Sequence, residues 1–189
     1  YSVQANMMLN DKVWPAMSEA YEKNMQLPLA ERLLVTMQAA QQAGGDIRGQ
    51  QSAAILIVSG KSSGKVWEDR KIDLRVEDHP EAVKEIGRLL KVFRAYEHMN
   101  NGDLEIEYQH MDKALAEYGA AQEMFPENLE MKYWTAVSLT NINRVDDALP
   151  LFKEIFRKDE NWRTLTSRIV KNGMLTVDEK TLTKILNLK

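Results

Sequence analysis

Asp73 and Arg75 stand two residues apart in Arg70–Glu77 (RKIDLRVE), where Ile72, Leu74 and Val76 alternate with Lys71, Asp73, Arg75 and Glu77. Such alternation predicts a half-buried strand, which puts the acid and the arginine on one face about 7 Å apart. There they can line a polar cleft, the arginine fork taking a substrate carboxylate. They can also form a surface ion pair, the more common outcome. Asp78 and His79 follow at once, residue types that serve as an acid/base pair. With Pro80 and Glu81 behind them they also spell a helix start capped by Asp78, which explains the same residues with less. Gly60–Lys65 (GKSSGK) invites a phosphate-loop reading, but its glycine spacing is one residue short and Val66 stands where a magnesium-binding hydroxyl is required. Lying between two strands, it predicts a hairpin tip. His79, His98 and His110 show no metal-ligand spacing, and without cysteine there is no disulfide or thiol chemistry. The expectation is no complete catalytic constellation, no metal and no cofactor.

These residues need elements to hold them. Ala53–Val58 (AAILIV) is the one unbroken apolar run, and its length and flanks predict a strand buried on both faces. Arg48, Gln50, Gln51 and Ser52 lead into it, able to satisfy loop carbonyls and start the strand. Tyr1–Met8 also reads as a strand, Val3 and Ala5 opposed to Gln4 and Asn6. Asn10 or Asp11 is expected to cap a helix to about Asn24, with Pro15 harmless in its first turn. Pro28 opens a second helix with the stripe Leu29, Leu33, Leu34, Met37 and Ala40, closed by Gly44 and Gly45. Beyond Asp78 only helices are predicted. The first, lined by Val83, Ile86, Leu90 and Phe93, stops at Asn100-Asn101-Gly102, and the second carries Leu104 to Tyr118. Leu129–Thr140, Val145–Arg157 and a helix from about Asn161 follow, and a last one is capped by Thr176 with Glu179 three residues on.

At 189 residues, 44% hydrophobic and 28% charged, the chain suits one good core or two small ones. A net charge of -3 argues against a general nucleic-acid partner. No apolar stretch reaches membrane-helix length, and no signal peptide is evident.

The helical half repeats. Ala114, Leu115, Tyr118, Ala121 and Pro126 recur, shifted by 34, at Ala148, Leu149, Phe152, Ile155 and Glu160. Period and pattern resemble the tetratricopeptide repeat. The 129–161 unit, with Ala136 at its small position, matches better and departs at Pro150. The 82–126 unit keeps Gly102-Asp103 at its turn, but its second helix is about two turns too long. The resemblance implies a concave groove for a peptide, faced by Glu130, Tyr133, Val137, Thr140 and Asn141. A solvated face, or packing onto the α/β half, accounts for the same residues.

Four motifs in order, YSVQANM, PLAERLL, AGGDIRGQQSAAILIV and IDLRVEDHP, resemble a bacterial family assigned to the N-terminal-nucleophile hydrolase superfamily, over roughly residues 1 to 95. NWRTLTSRIVKNGML, residues 161–175, is similar to the C-terminal ends of members that carry helical repeats. The resemblance implies a layered α/β/β/α sandwich and amide-bond hydrolysis, and makes Arg48, Gln51 and Ser52 the rim of a pocket. It also implies that Tyr1 falls where the second half of that domain starts. An N-terminal nucleophile must be Thr, Ser or Cys at residue one; Tyr1 cannot serve, and Ser2 only after loss of Tyr1.

The expected fold is therefore α+β. Residues 1–79 would form a partial α/β/β/α layer of few antiparallel strands, and residues 80–189 an all-α tetratricopeptide-like region. The expected function is interaction with a protein or peptide, non-catalytic as given, or else the downstream half of an amide hydrolase. Three strands are too few for the sandwich. The sheet is expected to be completed by another copy of this chain or by sequence upstream of Tyr1, unless the flanking helices cover it.

Overall fold

The computed structural model describes residues 1–189, which are mostly helical with one two-stranded antiparallel sheet. The chain divides into two compact units, 1–93 and 94–189, the first reaching past residue 79. The reason lies in the first turns of helix α4 (Ala82–Glu107). Its Ile86 and Leu90 are buried in the same core as Ile55 and Ile72 of the sheet.

In the first unit, α1 (Val13–Lys23) packs on α2 (Leu29–Gln42), followed by β1 (Ala53–Val58), a single turn α3 (Val66–Asp69), and β2 (Arg70–Val76). The strand expected at Tyr1–Met8 is not formed. That segment makes one isolated bridge, Met8 to Asp46, and Met7 turns left-handed at φ 52°. A strand needs a neighbour for its backbone, and here side chains hold the segment instead. The Tyr1 ring lies 4.6 Å from that of Tyr21, and its hydroxyl meets Ser18 and Glu22. Asn10 does not cap α1. Its side-chain oxygen accepts from the Lys12 N–H and its side-chain amide N–H donates to the Ala43 carbonyl, tying the entrance of α1 to the end of α2. Gly45 closes α2 at φ 62°, its N–H reaching back to the Ala40 carbonyl.

β1 and β2 pair from Ala53 opposite Val76 to Ile57 opposite Ile72, with an irregularity before Val58. Ala53, Ile55 and Ile57 join Ile72, Leu74 and Val76 in a core with Ala30, Leu33 and Leu34 of α2. The expectation that β1 is buried on both faces is overturned. Within it only Ile55 is buried, while Leu56 and Val58, which point the other way, are 52% and 57% exposed. Helices cover one face of the hairpin and no second layer of this unit covers the other. The connection at 59–69 is more than a hairpin tip. Asp69 accepts from the Ser63 N–H and from the Ser62 hydroxyl, and a short helix carries Trp67, 76% exposed.

The second unit contains α5 (Met111–Met124), α6 (Leu129–Asn141), α7 (Val145–Lys158), α8 (Asn161–Lys171) and α9 (Glu179–Leu186). The break expected at Asn100-Asn101-Gly102 does not occur, because α4 continues to Glu107. Gly102 is there for close approach: a Cβ on it would meet the Tyr118 ring at 2.4 Å. The turn falls at Tyr108-Gln109-His110, where Gln109 is left-handed at φ 63° and the His110 N–H reaches the Glu105 carbonyl. Asn143 repeats this after α6 at φ 64°, with the Arg144 N–H on the Leu139 carbonyl. α9 is capped by Asp178, which accepts from the Thr181 N–H at 2.6 Å, whereas the expected Thr176 gives its N–H to Asn141. Tyr133, Phe152, Ile155 and Ile169 form the main core, and Ala95, Ala114, Tyr118 and Met131 a second one.

Candidate functional site

Residues 46–52 cross from the end of α2 to β1 and, with the residues before α4, enclose a polar cleft of about 520 Å³. Arg48, Gln51, Ser52 and Asp78, four of the pocket residues expected from sequence, line it together. Gln41 and Asp46, which the sequence did not single out, join the wall, with Gly49, Gln50 and Val83.

Asp46 and Arg48 are locked on one another. The guanidinium places Nε 2.9 Å and Nη2 2.6 Å from the two carboxylate oxygens, and the Arg48 N–H adds a third bond of 2.8 Å. These bonds hold the Asp46 carboxyl down at about 2 and push the Arg48 guanidinium further up. Arg48 thus reaches the cleft with its charge already matched by an acid two residues back.

The start of α4 is capped from a distance. Gln50 accepts the Val83 N–H at 3.2 Å across 33 residues, and His79 Nδ1 accepts the Glu81 N–H at 3.0 Å. Asp78, expected as the cap, makes no side-chain hydrogen bond and instead lines the cleft. Nor is it paired with His79, whose backbone N–H is anchored on the Gln51 carbonyl at 2.8 Å. The acid/base pair is not assembled. What the cleft offers is a carboxylate, a hydroxyl and amides, groups that can fix a polar ligand.

Asp73 and Arg75 lie elsewhere. They form a 2.8 Å ion pair on the outer face of the sheet, and Arg70 adds a second contact to Asp73 at 3.1 Å. Their cross-strand neighbours are Leu56 and Ala54.

Of the groove residues, Tyr133, Val137 and Thr140 are buried in the second unit rather than facing an open surface. α8 covers Tyr133: its ring lies 4.7 Å from that of Trp162, and its hydroxyl is 3.1 Å from that of Thr166. Thr140 bonds back to the Ala136 carbonyl. Asn141 is exposed and bridges Met174 and Thr176, while Glu130 accepts from the Tyr96 hydroxyl. No three His, Asp or Glu side chains converge as a metal site, and no helix is long and apolar enough to cross a membrane.

The fold is that of an α+β protein, mostly helical with a small antiparallel sheet. Residues 1–86, which include both strands and the whole cleft wall, match a family of unknown function, DUF1028. Neither the curated proteins nor the solved structures provide a match to the chain.

Proposed function

We propose that this chain is an interaction module: a partial N-terminal-nucleophile-type α/β layer joined to a tetratricopeptide-like helical module that takes a protein or peptide, non-catalytic as given. The observation that carries it is the bare strand face, where Leu56 and Val58 are each more than half exposed. An uncovered apolar strand at a sheet edge is a surface for another polypeptide. In a layered sandwich a second sheet covers that face, and here another copy of this chain takes its place.

The helix boundaries support the repeat reading. α5 spans 111–124 and α7 spans 145–158, and the left-handed turn residues Gln109 and Asn143 stand 34 residues apart like them. With the turn at 108–110, the second helix of the earlier unit is no longer two turns too long.

Sedimentation at several concentrations tests the bare face. The chain alone should self-associate, and Leu56→Lys should leave it monomeric with an unchanged melting midpoint. A wild-type chain that stays monomeric at high concentration, with neither property altered by Leu56→Lys, would sink the reading.

A second reading is favoured by the cleft, which gathers Ser52, Gln51 and Asp78. On it the chain is the downstream half of an amide hydrolase. The nucleophile then comes from a preceding half, so the chain alone should turn over no amide. Turnover that appears only when a segment beginning with Thr, Ser or Cys is joined before it would establish that reading over the first, and turnover by the chain alone would overturn it.

A further inference from the structure

Within the 94–189 unit a cavity of about 300 Å³ opens between α4, α6 and the segment after α8. Tyr96, Asp103, Glu130, Met131, Trp134 and Met174 line it. Two of these are carboxylates that meet no cation. Asp103 accepts only the Tyr118 hydroxyl, at 2.6 Å, and Glu130 only the Tyr96 hydroxyl, at 2.5 Å. A carboxylate has about four acceptor sites, so each keeps most of its capacity. The tyrosine bonds hold both acids in place without neutralising them. Around them are the π-surfaces of Trp134 and Tyr96, which attract cations, and the three adaptable thioethers of Met99, Met131 and Met174.

We infer that this cavity binds an alkylammonium group, with Asp103 and Glu130 taking the charge and Trp134, Met131 and Met174 packing the aliphatic stem. Charge complementarity selects the occupant. An ammonium is a compact charge with three rotatable donors and can serve two acids held on different helices, whereas a guanidinium fork is matched to a single carboxylate. The ammonium can arrive on a free diamine or on a lysine side chain. Only the lysine source rests on the helical unit being the peptide-binding half.

Calorimetry at low ionic strength would use 1,5-diaminopentane and, separately, an end-capped peptide whose one central lysine is its only charge. Both should bind, and added salt should weaken both. Glu130→Gln and Asp103→Asn keep an acceptor for the tyrosines but remove the charge. Each should weaken binding about tenfold, the loss expected for one charge-assisted bond. Their melting midpoints report whether the fold is intact, and Glu68→Gln in the other unit should leave affinity unchanged. Binding of the diamine but not the peptide keeps the cavity assignment and overturns the peptide partner. No binding of either, or binding that both pocket variants leave unchanged, overturns the inference.

Discussion

Arg48 shows how a residue's neighbours decide its chemistry. Beside a pocket it has the right type to hold a substrate carboxylate, but Asp46 already occupies its fork. Asp46 is expected to titrate with a midpoint of about 2, and Arg48→Gln should raise it towards the ordinary 3.8. The folded-state value lies below the ordinary one, so what this pair adds to stability is present above about 3.8 and is lost as pH falls towards about 2. Carboxyl-carbon NMR titration of both proteins checks this; a midpoint indifferent to Arg48 would contradict the pairing. Tyr133 makes the same point about the groove. On an open face its truncation would cost little, but it is fully buried against Phe152 and Trp162. Tyr133→Ala should therefore cost about 3–5 kcal/mol in denaturant unfolding. A loss below about 1 kcal/mol would return it to the surface.

Among the elements, α4 differs most from what its sequence suggests. Asn100-Asn101-Gly102 has the composition of a stop, yet the helix runs through it. Glycine inside a helix costs up to about 1 kcal/mol relative to alanine, so propensity alone makes Gly102→Ala stabilising. Contact reverses the sign. The added Cβ would sit 2.4 Å from a Tyr118 ring that is pinned through its hydroxyl by Asp103 and Ser138. Gly102→Ala should lower stability by about 1–3 kcal/mol, the range for overpacking, as a lowered thermal midpoint would show. A raised midpoint would mean the ring is free to give way. The true turn at 108–110 carried a usable signal: the 34-residue shift that links Tyr118 to Phe152 also links Gln109 to Asn143.

At the scale of the whole molecule, each unit has its own core, Ile55 and Ile72 in the first and Phe152 and Ile155 in the second. Separate cores open separately when their contacts are not shared. Ile55→Ala, expected to cost about 2–5 kcal/mol, should speed amide exchange across the sheet and α2 while Phe152 and Ile155 keep their protection. Equal loss of protection in both units would show one cooperative body. The cleft was partly legible at this scale. Arg48, Gln51, Ser52 and Asp78 came from two runs whose polar types stood out, whereas Gln41 lies in an ordinary helical stripe and Asp46 in a glycine-flanked turn. Only folding brings these runs together.

What the sequence determined by itself was local. Apolar periodicity predicted α2, α6 and α7 close to their observed limits, alternation predicted β2, and glycines predicted the end of α2. These depend on interactions within a few residues, which every copy of the pattern makes alike. Tertiary structure decided what depends on distant neighbours. Tyr1–Met8 has a strand's alternation but no strand to pair with, and β1 has a buried strand's composition but a single covered face. Gly102 reads as a break until Tyr118 is packed against it, and Tyr133 reads as a groove residue until α8 closes over it. In each case burial or pairing is a property of the space around the residue, which a one-dimensional pattern does not contain.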